Sequence, residues 1–155
     1  MLTRIGEVQS ISHGSTRHPG HAYSSVVLLY TSLLALLLIG LSYNVVRLRQ
    51  RHQVGIGTGS VQALERAVRA QANFCEYVPL ALLLLALIEF GGNVPTWALH
   101  VLGLLLLSGR IAHALGLTRS AGASRARVIG TVLTWTVLLV ASGMGLAAGV
   151  VAAIN

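Results

Sequence analysis

The residues able to do chemistry concentrate in one stretch, Glu65 to Pro79, which reads ERAVRAQANFCEYVP. On a helix, Arg66, Arg69, Asn73 and Glu76 stack near one stripe, because steps of three and four residues return to the same face. The charge-free run that follows, Tyr77 to Ile88, is only twelve residues long. That is about 18 Å of helix, whereas a bilayer core needs about 30 Å. A spanning helix must therefore start near Ala70 and draw Asn73 and Glu76 inside. Ionisable groups at that depth cost roughly 2.5–3.5 kcal/mol each on insertion scales, so they mark functional sites by default. Arginine does not deprotonate in proteins, so its chemistry here is electrostatic. It can hold a carboxylate, or favour the thiolate form of a bound thiol.

The elements that carry these residues follow from composition. Of the 155 residues, 54% are hydrophobic and only 10% are charged, against about 25% charged in a soluble domain. This is a polytopic membrane protein, and its length allows one domain of four spans. The net charge of +7 comes from eleven Arg and four Glu, without Lys or Asp. In so apolar a chain the basic excess orients the protein and meets anionic lipid; it does not call for nucleic acid. Cys75 is the single cysteine, which excludes an intrachain disulfide, and its expected place is a small buried position in a helix. The six His are scattered, without an HxxxH pair or cysteine partners, so no metal site is expected. The glycines of residues 54–60 do not form a phosphate loop: no Lys-Ser/Thr follows and no strand precedes. A flexible loop is expected there.

The fold class is all-α, an integral membrane four-helix bundle. Residues 1–23 read as a flexible tail, and residues 24–153 as one domain with spans at about 24–46, 61–90, 96–117 and 128–153. Pro79 lies inside the second span and should kink it. Gly91 to Pro95 is a short turn that makes spans two and three an antiparallel hairpin. Ala141, Gly145 and Gly149 repeat every four residues, a small-residue seam for close helix packing. The basic residues cluster after spans one and three. The positive-inside rule places both of those loops in the cytoplasm and both termini outside.

Depth can be compared within the hairpin. Glu76 lies fourteen residues before Phe90, and Arg110 thirteen after Trp97, so both sit about 20 Å from the turn. Asn73 and His113 match one turn nearer the cytoplasm. Glu76 and Arg110 are thus expected within salt-bridge range, with Asn73 and His113 nearby. Arg47, Arg49, Arg66, Arg69, Arg119, Arg125 and Arg127 crowd the same end, and Glu65 and Glu76 can neutralise only two of them. Such a guanidinium surplus suits an anion with carboxylates, phosphates or a thiolate.

ERAVRAQANFCEYVP resembles the second-helix signature of the MAPEG family, the membrane-associated proteins in eicosanoid and glutathione metabolism. The family pattern, roughly E-R-x-x-R-A-x-x-N-x-x-E-x-x-P, is met by Glu65, Arg66, Arg69, Ala70, Asn73, Glu76 and Pro79. Val46-Arg-Leu-Arg49, Gly109-Arg110-Ile-Ala-His113 and Arg127 support the likeness, which covers about residues 25–153. The resemblance implies a homotrimer in a bacterial inner membrane, with glutathione bound between subunits near the cytoplasmic face. Arg69, Asn73, Glu76 and Arg110 would hold glutathione, with His113 and Arg49 contributing. Arg127, or Arg125 if the loop is shifted, would stabilise the thiolate. No metal is implied. The co-substrate would be a lipophilic electrophile or hydroperoxide arriving from the lipid. Three positions depart from the family: Ala72 replaces an Arg, Leu117 a Tyr and Val128 a Ser found in some glutathione-using members. The first expectation is a glutathione transferase or peroxidase. The alternative is a non-catalytic trimeric lipid-binding or scaffolding member. Transport is the weakest reading, since neither an inverted repeat nor a broken-helix pair is visible.

Overall fold

Each of the four apolar segments folds as one long helix. The computed structural model describes residues 25–92, 94–119 and 124–154; the tail expected at 1–23 lies outside them. Helix α1 spans Ser25–His52, α2 Gln62–Phe90, α3 Thr96–Arg119 and α4 Arg125–Ile154. All four are long and apolar enough to cross a membrane. Helices α1, α3 and α4 overrun the expected spans at their basic ends. Helix α1 continues through Arg47 to His52, and α4 already starts at Arg125. Charge marks where a helix leaves hydrocarbon, not where its backbone hydrogen bonds stop. Arg49, Arg51 and His52 in the last turn of α1 also suit the negative end of the helix dipole.

Helices α2 and α3 are the central pair. Helix α1 packs on both of them, α4 packs on both from the other side, and α1 does not reach α4. The buried ridge of α2 runs through Leu64, Ala67, Ala70, Phe74, Val78, Ala81 and Leu85. These positions follow steps of three and four, which keep one face of a helix turned inwards. Phe74, Val78, Ala81 and Leu85 meet Leu34, Leu102, Leu106 and Val137 in the main core cluster. Helix α2 runs unbroken through Pro79, whose ring stands on the exposed face. Cys75, expected to be buried, is exposed. It lies off the buried ridge, and a thiol is apolar enough to face lipid.

The loop between α1 and α2 is organised instead of slack. Arg49 Nη1 donates towards the carbonyls of Val54 (3.4 Å), Gly55 (3.1 Å) and Gly57 (3.0 Å). One guanidinium thus gathers the loop's backbone acceptors. The small-residue seam of α4 is only partly used within the chain. Ala141 is fully buried, but a Cβ at Gly145 or Gly149 would meet no atom.

The first turn of α1 has an unusual cap. The Glu89 carboxylate, near the end of α2, accepts from the backbone N–H of Val26 (3.2 Å) and of Val27 (3.2 and 3.3 Å). Those N–H groups have no acceptor within their own helix, and a negative charge there opposes the positive end of the helix dipole. A residue remote in sequence thereby fastens the start of α1 to the end of α2. Glu89→Ala should lower unfolding stability by about 1–2 kcal/mol, the usual worth of a charged N-cap. Thermal or denaturant unfolding in detergent would read this, and an unchanged midpoint would refute the capping role.

Candidate functional site

The site is built where α3 and α4 approach closely, at Gly109 and Gly130. A Cβ added at Gly130 would lie 2.5 Å from the Gly109 carbonyl oxygen and 2.6 Å from the backbone nitrogen of His113. Only a residue without a side chain permits that approach. It carries the Gly130 carbonyl to the Arg110 side chain, whose Nη2 donates to it at 3.2 Å. The same carbonyl also accepts from the buried Thr134 hydroxyl at 2.9 Å.

Arg110 is only 3% exposed. Its Nη1 donates to Asn73 Oδ1 on α2 at 2.8 Å. Its Cζ lies 5.9 Å from the centre of the Tyr77 ring, within range of a cation–π attraction. Its Nε is buried without a hydrogen-bond partner. Among the described residues no carboxylate pairs with this cation. Two dipoles and a ring face hold it, and among those residues its charge is uncompensated.

The expected Glu76–Arg110 ion pair is therefore not formed within the chain. Glu76 is exposed, and the partner of Arg110 is Asn73. Asn73, which depth along the hairpin set level with His113, meets Arg110 instead, one turn away from its expected level. The rotation about the α2 axis decided against Glu76. Three residues turn a helix by about 300°, so Glu76 is rotated further than Asn73 from the ridge set by Phe74 and Val78 and points nearly opposite to it. Arg69 is likewise exposed, while Arg66 and Asn73 are half-buried on the border. The polar stripe read from the sequence is real, and most of it faces outwards.

His113, one turn beyond Arg110 on α3, is buried. Its Nδ1 lies 3.2 Å from the Thr131 hydroxyl, and that hydroxyl lies 3.0 Å from the Arg127 carbonyl. Arg127 is half-buried in the first turn of α4 and Arg125 is exposed at its first residue. Both belong to the helix and not to a preceding loop. The structure thus brings together Asn73 and Arg110 directly, and links His113 to the backbone of Arg127 through Thr131. Arg69, Glu76 and Arg125 stand on the outside, and Arg49 closes its own loop.

Sequence reasoning missed Tyr77, Thr131 and Gly130. Tyr77 lies four residues after Asn73 and Thr131 four after Arg127, so helical spacing alone could have found both. Nothing local distinguishes Gly130 from the other glycines of this chain. Asn73→Ala would leave Arg110 Nη1 buried without its acceptor. It should cost about 1–3 kcal/mol of stability, measured as a shift in the unfolding midpoint of the purified protein without ligand.

These features define a four-helix bundle suited to a membrane, with a buried arginine where α2, α3 and α4 meet. The MAPEG family pattern matches residues 27–147 of the chain. The Inner membrane protein YecN of Escherichia coli strain K12 is 40% identical over 111 residues, which cover 72% of this chain and 82% of that protein. Its counterpart in Escherichia coli O6:H1 strain CFT073 gives the same identity and coverage. The chain belongs to the MAPEG family, as the signature on α2 implied.

Proposed function

We propose that this protein is a glutathione-dependent membrane transferase or peroxidase that works as a homotrimer, with one site at each contact between subunits. The observation that carries this reading is the uncompensated charge of Arg110, 3% exposed and without a carboxylate partner among the described residues. A buried charge left without a counter-ion is strongly unfavourable, so an anion is called for, from a ligand or from a neighbouring subunit. The exposed Glu76, which the span draws inside, supports the second half of the proposal, with the exposed Arg69 at the edge of the span. Ionisable side chains at the depth of a membrane need protein or a polar ligand over them.

Glutathione fits this donor set. It carries two carboxylates, one ammonium group and a thiol. Arg69 and Arg110 suit its carboxylates and Glu76 the ammonium. Asn73 has its Oδ1 held by Arg110, which leaves its amide nitrogen as the donor it can offer a ligand. His113 lines the same buried layer. Arg127, or Arg125 one position before the intervening Ala126, would stand near the sulfur and favour the thiolate. The thiol proton passes to water at the mouth of the bundle. The sulfur then bonds the electrophilic carbon of a lipophilic substrate and expels its leaving group. No metal has a part in this chemistry. The protein would sit in a bacterial inner membrane, with the ends bearing Arg47 to Arg51 and Arg119 to Arg127 in the cytoplasm.

One observation favours the non-catalytic alternative, a trimeric lipid-binding or scaffolding member. Leu117 is buried and Val128 is 58% exposed, so neither position brings a hydroxyl to the site. Glutathione binding by the purified protein separates the two readings. The enzyme should bind saturably, lose binding on Arg69→Ala or Glu76→Ala, and conjugate a generic electrophile. It should lose at least tenfold in conjugation rate on Arg127→Ala, in keeping with the hundredfold order of cost for removing one transition-state donor. No binding at millimolar glutathione would favour the scaffold.

A further inference from the structure

The start of α4 is fastened to α3 more firmly than a helix terminus requires. Ser124 is its N-cap. The Ser124 Oγ accepts from the backbone N–H of Arg127 at 3.3 Å, the third helical position, where an N-cap side chain ordinarily bonds. The Ser124 carbonyl accepts the first helical bond, from Val128 at 3.2 Å. The same Oγ also donates across to the Gly116 carbonyl of α3 at 3.3 Å. One turn on, the Thr131 hydroxyl touches both the Arg127 carbonyl at 3.0 Å and His113 Nδ1 at 3.2 Å. Both backbone polar groups of Arg127 are therefore reached by hydroxyls that also contact α3.

Its side-chain stem is guided as well. A Cβ at residue 116 would stand 2.7 Å from Arg127 Cγ, 2.7 Å from Arg127 N and 2.7 Å from Ser124 Oγ. Real Cβ atoms essentially never come under 3.0 Å. One of the three atoms is backbone, so any side chain at 116 would push the first turn of α4 and not merely turn a rotamer. The absent side chain of Gly116 is the channel through which the Arg127 stem leaves the helix.

We propose that Gly116 and Ser124 are positioning residues for Arg127, setting the place of its guanidinium and so how strongly it stabilises a bound glutathione thiolate. This rests on the proposed function. A helix needs only its cap, but electrostatic stabilisation needs a fixed distance. A misplacement of about 1 Å can cost on the order of a hundredfold in a positioned reaction.

The test uses the full-length protein in detergent with glutathione, reading affinity by calorimetry and thiolate by its ultraviolet absorbance across pH. In Gly116→Ala the pH midpoint of thiolate formation should rise by about one unit, a tenfold loss of acidity in the bound thiol. Glutathione affinity, measured below that midpoint, should stay within about twofold. Ser124→Ala should shift the midpoint in the same direction by less, and Ser124→Thr, which keeps the hydroxyl, should restore it. The serine pair keeps the test open if Gly116→Ala does not fold. Wild-type thiolate with an unmoved midpoint in the variants would overturn the positioning role alone. So would equal loss of affinity and acidity with no rescue by threonine, the mark of general loosening. Bound glutathione without thiolate in the wild type would overturn catalysis by Arg127 and this inference together.

Discussion

A guanidinium enclosed in an apolar bundle must be held by oriented dipoles or by an anion, and everything near Arg110 answers to that demand. The Gly130 carbonyl and the Asn73 amide oxygen supply the dipoles. They can do so only because α3 and α4 approach closely at Gly130, while α2 brings Asn73 to the same level. Burial of the charge, contact of the helices and choice of small residues are one constraint seen from three sides. The unpartnered Nε shows that this constraint is not fully met among the described residues.

Helix α2 divides its labour by face. Its ridge of Leu64, Ala67, Phe74, Val78 and Leu85 packs the core, and its opposite face carries Arg69 and Glu76 outwards. Asn73 stands on the border and belongs to both. An ordinary span would turn apolar side chains to lipid on that outer face. A polar outer face is what the proposed site between subunits would cover, with the same residues that the glutathione reading needs.

Charge elsewhere in the chain acts as a fastener. Glu89 caps α1 across the bundle, and Arg49 collects the carbonyls of its loop. Both are placed where helix ends or turns leave backbone groups unsatisfied, which is where a charge gains most from the backbone. Of the basic residues crowded at one end, Arg49 is thus accounted for by loop structure, and Arg127 differs from it in having its backbone held by Ser124 and Thr131.

Much was legible from order and composition alone. Four predominantly apolar segments, a Gly-Pro turn and the motif on α2 determined the helices, their hairpin, the family and the stripe of polar residues. These are properties of spacing along one element, and helical geometry carries them unaided. Depth within the hairpin was legible to about one turn: it set Arg110 level with Glu76, and the residue that meets it is Asn73, one turn away. What only the tertiary structure decided was which side of each helix faces which neighbour. Asn73 and Glu76 differ by a single turn in sequence, yet one reaches Arg110 and the other faces away, because the apolar ridge fixes the rotation of α2 through many contacts at once. The pairing of Gly130 with Gly109, the reach of Glu89 to α1 and the anchoring of Arg127 have the same origin. Each depends on how close two helices come, and that distance is set by the packed bundle rather than by either helix.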